Sequence, residues 1–181
     1  KKRFYQRRPD ATAPHGYAWN IEGAIRVPYR LPQIIEAVQS GRTIHIAEGE
    51  KCVHALLTVI PQGEEATTNP GGAGKWRDEY GRWFAGANIV IYADSDETGR
   101  VHARDVRQNL IDNGCSVTIV EAPPGVMANG KVIHDVADHI EAGLDLNTLL
   151  ETTPDSAVQR ARTAVDWLDI TQREEHKFEF V

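Results

Sequence analysis

With 181 residues, 41% of them hydrophobic, the chain is long enough for one ordinary domain with a real core and a small appendage. Charged residues make up 25%, and no apolar run approaches the roughly 18 residues of a membrane-spanning helix, so an integral helical membrane protein is excluded and a cytoplasmic location is expected. The net charge of −6 looks wrong for a nucleic-acid binder until it is divided: residues 1–42 hold eight Lys/Arg against three Asp/Glu, leaving −11 on the rest.

The chain opens as KKRFYQRRPD, with Phe4 and Tyr5 among five cations and Pro9 opposing a helix. Such an arm suits phosphate contact through Arg7 and Arg8 and base stacking on its aromatic rings, although a solvated leader would have the same composition. Lys1 stands where a complete chain would carry Met, which suggests a piece of a longer protein with further domains on either side. Residues 11–28 are irregular, with Tyr17 and Trp19 as anchors. A short helix is predicted over 32–39, ended by Gly41.

From Thr43 onward, short apolar runs alternate with helical stretches. Strands are expected at 44–47, 66–68, 88–93 and 116–121, and helices at 50–60, 76–84, 98–113, 135–142 and 146–151. A last helix is expected from Pro154 to Leu168, with Val158, Ala161, Val165 and Leu168 on one stripe. This alternation predicts a Rossmann-like α/β fold of about four mainly parallel strands flanked by helices. It divides the chain into a basic extension (1–42), a main domain (43–152) and a C-terminal helix and tail (153–181). Cys52 and Cys115 stand apart and read as ordinary reduced thiols.

An open parallel sheet gathers ligands at the carboxyl ends of its strands. Glu48 follows the first predicted strand, and Asp94 and Asp96 follow the third. Three carboxylates on one rim would repel one another, and their usual companion is a hard divalent cation, so Mg²⁺ or Mn²⁺, as a pair, is the expected cofactor. Crowding of acidic residues at loop ends would produce the same pattern without any metal. Gly71, Gly72, Gly74 and Lys75 resemble a phosphate cradle but fail the Walker pattern, with Asn69 where a glycine is required and Trp76 where Ser or Thr is required. Lys51, Lys75, Arg77, Arg100 and Arg104 are candidate phosphate contacts, and Arg100 and Arg104 could equally serve to neutralise the acidic rim. His45, His54, His102, His134 and His139 lack zinc spacing and read as structural. Trp76, Trp83 and Trp167 read as core residues.

IHIAEGEK at residues 44–51 followed by IVIYADSDETGRVHA at 89–103 resembles the Toprim pair of motifs, and the likeness extends roughly over residues 43–142. TTNPGGAGKW at 67–76, DVADHI at 135–140, RFYQRRP and YRLP resemble the branch found in phage and mobile-element primases, including primase-helicase fusions. The resemblance implies a Toprim fold and metal-dependent nucleotidyl transfer, with RNA primer synthesis the leading activity and DNA cleavage the alternative. By position it implies Glu48 as general base or acid and metal ligand, Asp94 and Asp96 as metal ligands, and Asp135 or Asp138 as an auxiliary acidic residue. The implied partners are a single-stranded DNA template, nucleotides and a helicase or further domains. Two other readings stand beside it. DSDET at 94–98 also satisfies the D-x-D-x-T pattern of haloacid-dehalogenase-type phosphatases, in which, however, the motif ends the first core strand. The fold could also persist as a non-catalytic nucleic-acid-binding module.

Overall fold

The computed structural model describes residues 5–152. The expected helix at 154–168, together with Trp167, Lys2, Arg3 and Phe4, lies outside the described residues.

Two elements precede the main sheet. Strands β1 (Arg8–Pro9) and β2 (Tyr17–Ala18) form an antiparallel pair in which Arg8 faces Ala18 and Pro9 faces Tyr17. The turn between them is held by Asp10, whose Oδ1 accepts from the Thr12 amide at 3.0 Å and from its hydroxyl at 2.6 Å. Helix α1 (Leu31–Gln39) then carries Pro32 in its first turn, where the missing N–H costs nothing. Its N-cap, Arg30, sits at φ 59°, a left-handed conformation that strains a side-chain-bearing residue.

The main sheet contains β3 (Ile44–Ala47), β4 (Glu65–Thr67), β5 (Asn88–Ala93), β6 (Ser116–Glu121) and β7 (Leu150–Glu151), in the spatial order β4-β3-β5-β6-β7. The first four are parallel, and β7 closes one edge antiparallel to β6. Helix α2 (Glu50–Leu56), a 3-10 helix at Asp78–Phe84, α3 (Glu97–Asp112), α4 (Val136–Glu141) and a second 3-10 turn at Leu146–Thr148 make the connections. The result is a mixed α/β fold with a five-stranded sheet flanked by helices.

Side-chain alternation along the strands builds two cores. Ile44 and Ile46 of β3, Ile89 and Ile91 of β5, and Ile119 of β6 pack with Ile34 of α1, Phe84, and Val106 and Leu110 of α3. On the other face, Ala47, Ala66 and Tyr92 pack with Val53 and Leu56 of α2 and with Val136 and Ala137 of α4. Trp76 and Trp83 are only partly buried against the first core.

Three predicted helices differ from those observed, each for a local reason. Helix α2 stops at Leu56 instead of residue 60, because Thr58, Val59 and Ile60 are β-branched and Pro61 disfavours helical geometry in the residue before it. The stretch 76–84 tightens into a 3-10 helix at Asp78–Phe84, with Gly81 buried against Asn109 and Asn113 of α3. Residues 146–151 form a single 3-10 turn followed by β7, because β6 offers an open edge whose hydrogen-bonding groups need partners. No helix among the described residues is long and apolar enough to cross a membrane.

Candidate functional site

The sheet register brings Glu48 and Asp94 together. Ala47 of β3 pairs with Tyr92 of β5, so the residues just past the two strand ends, Glu48 and Asp94, meet at the carboxyl rim. Burial, first, and then the charge and hydrogen bond of Glu48 push the Asp94 carboxyl up to about 7, with smaller contributions from Asp135 and Asp96.

The other acidic candidates are engaged elsewhere. Asp96 is the N-cap of α3 and accepts from the Gly99 amide at 2.7 Å. Asp135 is the N-cap of α4 and accepts from the Asp138 amide at 2.6 Å. Asp138, 3% exposed, takes Lys51 at 2.9 Å and Lys131 at 2.5 Å on one oxygen and the His134 amide at 3.3 Å on the other. Burial opposes its charge, but the hydrogen bonds from Lys131 and Lys51 outweigh that cost and hold the carboxyl well below the usual carboxylate range.

This arrangement corrects the expectation of a metal centre. Among the described residues, no group of three or more His, Cys, Asp or Glu side chains is placed to hold a metal ion. Glu48, Asp94, Asp96, Asp135 and Asp138 share a rim in sequence terms, but two of them cap helices, one is neutralised by lysines, and the remaining two face each other as a pair. The expected Mg²⁺ or Mn²⁺ pair and the metal-dependent nucleotidyl transfer built on it, primer synthesis and DNA cleavage alike, are overturned by that geometry. The enzyme class and the metal-binding and primase descriptions fall with them. The phosphatase reading fares no better, since DSDET follows β5, the third parallel strand along the chain, rather than the first.

The cationic candidates separate into engaged and open groups. Arg100 makes a two-pronged contact with Glu121, Nε at 2.8 Å and Nη2 at 2.6 Å, and also donates to the Ser95 carbonyl at 3.4 Å. Arg104 pairs with Glu97 at 3.1 Å and Arg77 with Glu79 at 2.8 Å. Lys51 is tied to Asp138 and lies 3.4 Å from Asp135. Lys75 is exposed and makes no ion pair among the described residues. Arg8 reaches Asp10 at 3.2 Å, whereas the Arg7 guanidinium lies over the Tyr17 ring at 4.3 Å and near the Trp19 ring at 5.9 Å. Trp19 in turn meets Tyr17 and Tyr5 edge to face at 5.3 and 6.3 Å. Tyr5 is 71% and Trp19 64% exposed, so this aromatic and cationic cluster faces solvent.

The glycine-rich loop answers a backbone requirement. Gly71, Gly72 and Gly74 all have positive φ, at 95°, 76° and 68°. A buried network fastens the loop to α3: His102 Nδ1 accepts from the Gly74 amide at 3.2 Å and its Nε2 bonds the Asn69 side-chain Oδ1 at 3.2 Å, and the Asn69 side-chain nitrogen donates to the Gly72 carbonyl at 2.8 Å. Burial lowers the pKa of His102, which fits a neutral ring with one nitrogen donating and the other accepting. A cleft of about 550 Å³ opens between this loop, the segment Val27–Leu31 and the start of α2, with Gln6 on its outer wall and Glu48 and Glu50 on its rim. Sequence reasoning did not find Lys131, Asn69 or Arg30 as parts of this region. Lys131 lies in an irregular loop that carries no periodic signal, and Arg30 is recognisable only through its bond to Glu65 across the sheet edge, 2.8 Å away.

Asp94→Asn tests the raised pKa of this carboxyl. A carboxyl with a raised folded-state pKa binds more protons folded than unfolded between its ordinary value of 3.8 and about 7, so its contribution to stability falls as pH rises through that window. The asparagine variant should be more stable than the parent above pH 7, by about 1–2 kcal/mol after allowance for solvent screening, and indistinguishable from it near pH 3. Urea unfolding at the two pH values measures the difference. Equal stabilities at pH 8 would show that Asp94 ionises freely.

Compared with protein-family models, with curated proteins and with solved structures, the chain finds no match in any of the three.

Proposed function

We propose that this chain is a Toprim-like α/β unit that acts as a binding module for single-stranded nucleic acid. The observation that carries the reading is the exposed cluster of Tyr5, Arg7, Tyr17 and Trp19, which combines solvent-facing rings with a guanidinium that has no carboxylate partner among the described residues. Unpaired bases stack on such rings with little regard for sequence, and the neighbouring cations meet the phosphates. The uneven charge along the chain supports the same assignment, because the positive excess lies in the same stretch of sequence, residues 1–42, as this cluster, while the remainder is acidic and discourages non-specific contact elsewhere. The Toprim assignment rests on the order of the motifs and on a central parallel sheet that brings Glu48 and Asp94 to one rim. The proposed protein partner of such a unit is a helicase or a further replication domain.

Fluorescence anisotropy with a labelled single strand of mixed sequence tests the reading at two salt concentrations. Arg7→Ala with Trp19→Ala should weaken binding at least tenfold, since each stacked base contributes about 1–3 kcal/mol, and should flatten the salt dependence. Unchanged affinity and salt slope in the double variant would refute the assignment of this surface.

A further inference from the structure

We infer that the cleft beside Glu48 is a pocket for one unpaired nucleobase whose edge presents amino and ring N–H donors, guanine before the others. The inference rests on the single-strand reading and names what the second half of that surface would recognise.

The cleft is walled by Val27, Pro28, Leu31 and Pro70, which offer flat apolar contact of the kind that binds the faces of a ring. Its charged groups are two carboxylates and one cation. Glu48 and Glu50 stand on the rim, and the cation on the lining, Arg30, is spent on Glu65 through two nitrogens at 3.1 and 2.8 Å from one oxygen. A phosphate entering here would meet two carboxylates and, among the lining residues, no cation without a carboxylate partner, so the phosphate groups of a bound strand belong outside, with Arg7. A base with donors on its edge meets the opposite situation. Guanine places N1–H and the N2 amino group side by side, which matches the two oxygens of a carboxylate, whereas thymine flanks its lone N3–H with two carbonyl oxygens that a carboxylate repels.

Two observations make Glu48 suitable for this role. Glu48 lines the cleft, whereas its neighbour Asp94 does not, so Glu48 is the member of the pair that a ligand in the opening meets. The Glu48 backbone is also fixed, since its carbonyl accepts the Thr68 hydroxyl at 2.8 Å and Thr68 is buried. Gln6 connects the two halves of the surface: it lines the cleft and directly precedes Arg7, so a strand stacked on the aromatic cluster has the cleft mouth beside it.

Nucleosides test the pocket separately from the arm. Backbone amide shifts of Gly49, Thr68, Gly71 and Gly72 are followed by two-dimensional NMR while guanosine, cytidine, adenosine or thymidine is added to the whole chain. Guanosine should move these signals in a saturable way, cytidine and adenosine should do so more weakly, and thymidine should bind at least fivefold more weakly than guanosine. Glu48→Gln, which replaces one acceptor by a donor, should remove that preference, and Glu50→Gln on the exposed rim should reduce it less. Equal responses to guanosine and thymidine, or no response to any nucleoside, would overturn the pocket, as would an unchanged preference in Glu48→Gln. If labelled strands still bind through Arg7 and Trp19 in that case, the single-strand reading stands and only the pocket is lost. If nucleosides bind with the stated preference while strands do not, the arm assignment is lost instead.

Discussion

Gly99→Ala should destabilise the protein by about 3 kcal/mol or more, one of the two largest effects expected from a single substitution near the rim. Gly99 lies in the first turn of α3, with its amide on Asp96. A methyl group added there would lie 2.8 Å from both Cβ and the carbonyl oxygen of Asp94 and 3.0 Å from the Asp94 amide nitrogen. Two of those atoms are backbone, and the third is fixed to it, so relief requires α3 to move away from the end of β5. That movement would disturb the packing of Ala103 and Val106 against the sheet. Denaturant unfolding of the variant should show the loss, accompanied by a change in the Asp94 titration because its contact with Glu48 depends on the same backbone. A variant with parental stability would mean that the turn is looser than its close packing implies.

Asp138→Asn should cost about 2–3 kcal/mol at neutral pH, and the loss should shrink in acid. The buried carboxylate receives two lysine ammonium groups and one backbone amide, so a neutral side chain of the same shape leaves Lys51 and Lys131 facing each other without their common counter-ion. Because the folded-state pKa is depressed, this stabilisation is fully present above the ordinary carboxylate range and is lost as pH falls below about 4 toward the lower folded value. The parent should therefore weaken on acidification by more than the variant does, and the gap between them should narrow steadily as pH falls below the ordinary carboxylate range. Thermal unfolding at pH 7 and at the acid extreme measures both differences. A gap of the same size at both pH values would show that Asp138 contributes shape and not charge.

Much of the fold was legible from local pattern. The strands at 44–47, 88–93 and 116–121 coincide with β3, β5 and β6, because β-branched runs flanked by glycine and polar residues have few other ways to bury themselves. Helix α3 departs by one residue from its predicted span, and the difference comes from Asp96, whose capping role was open to view as an aspartate three residues before a glycine amide. The same residue was read as a metal ligand. A carboxylate directly before a helix satisfies both patterns, and local sequence does not say which partner it finds.

The site separated along that line. That Glu48 and Asp94 stand at the ends of neighbouring strands follows from strand spacing and the parallel topology it predicts. Whether further carboxylates join them depends on side-chain partners brought from as far as 87 residues away in one case and from the next turn in others. Lys51 reaches Asp138 across a separation of 87 residues, and Arg100 takes Glu121 across 21. Each partner removes a charged group from the common rim, and such pairings are invisible to motif and period.

By itself the sequence determined the alternating order of strands and helices, the basic and aromatic character of the first segment, and the two carboxylates at the rim, since these depend on the period of apolar residues and on residue type. Only the tertiary structure decided that β7 closes the sheet antiparallel, that the glycine-rich loop is anchored through His102 and Asn69, and that Asp96, Asp135 and Asp138 are occupied as caps or lysine partners instead of converging on a cation. The physical reason is common to all three. Burial obliges each polar group to find a partner, and which partner lies within hydrogen-bonding distance is set by how distant segments pack, not by the residues adjacent in the chain.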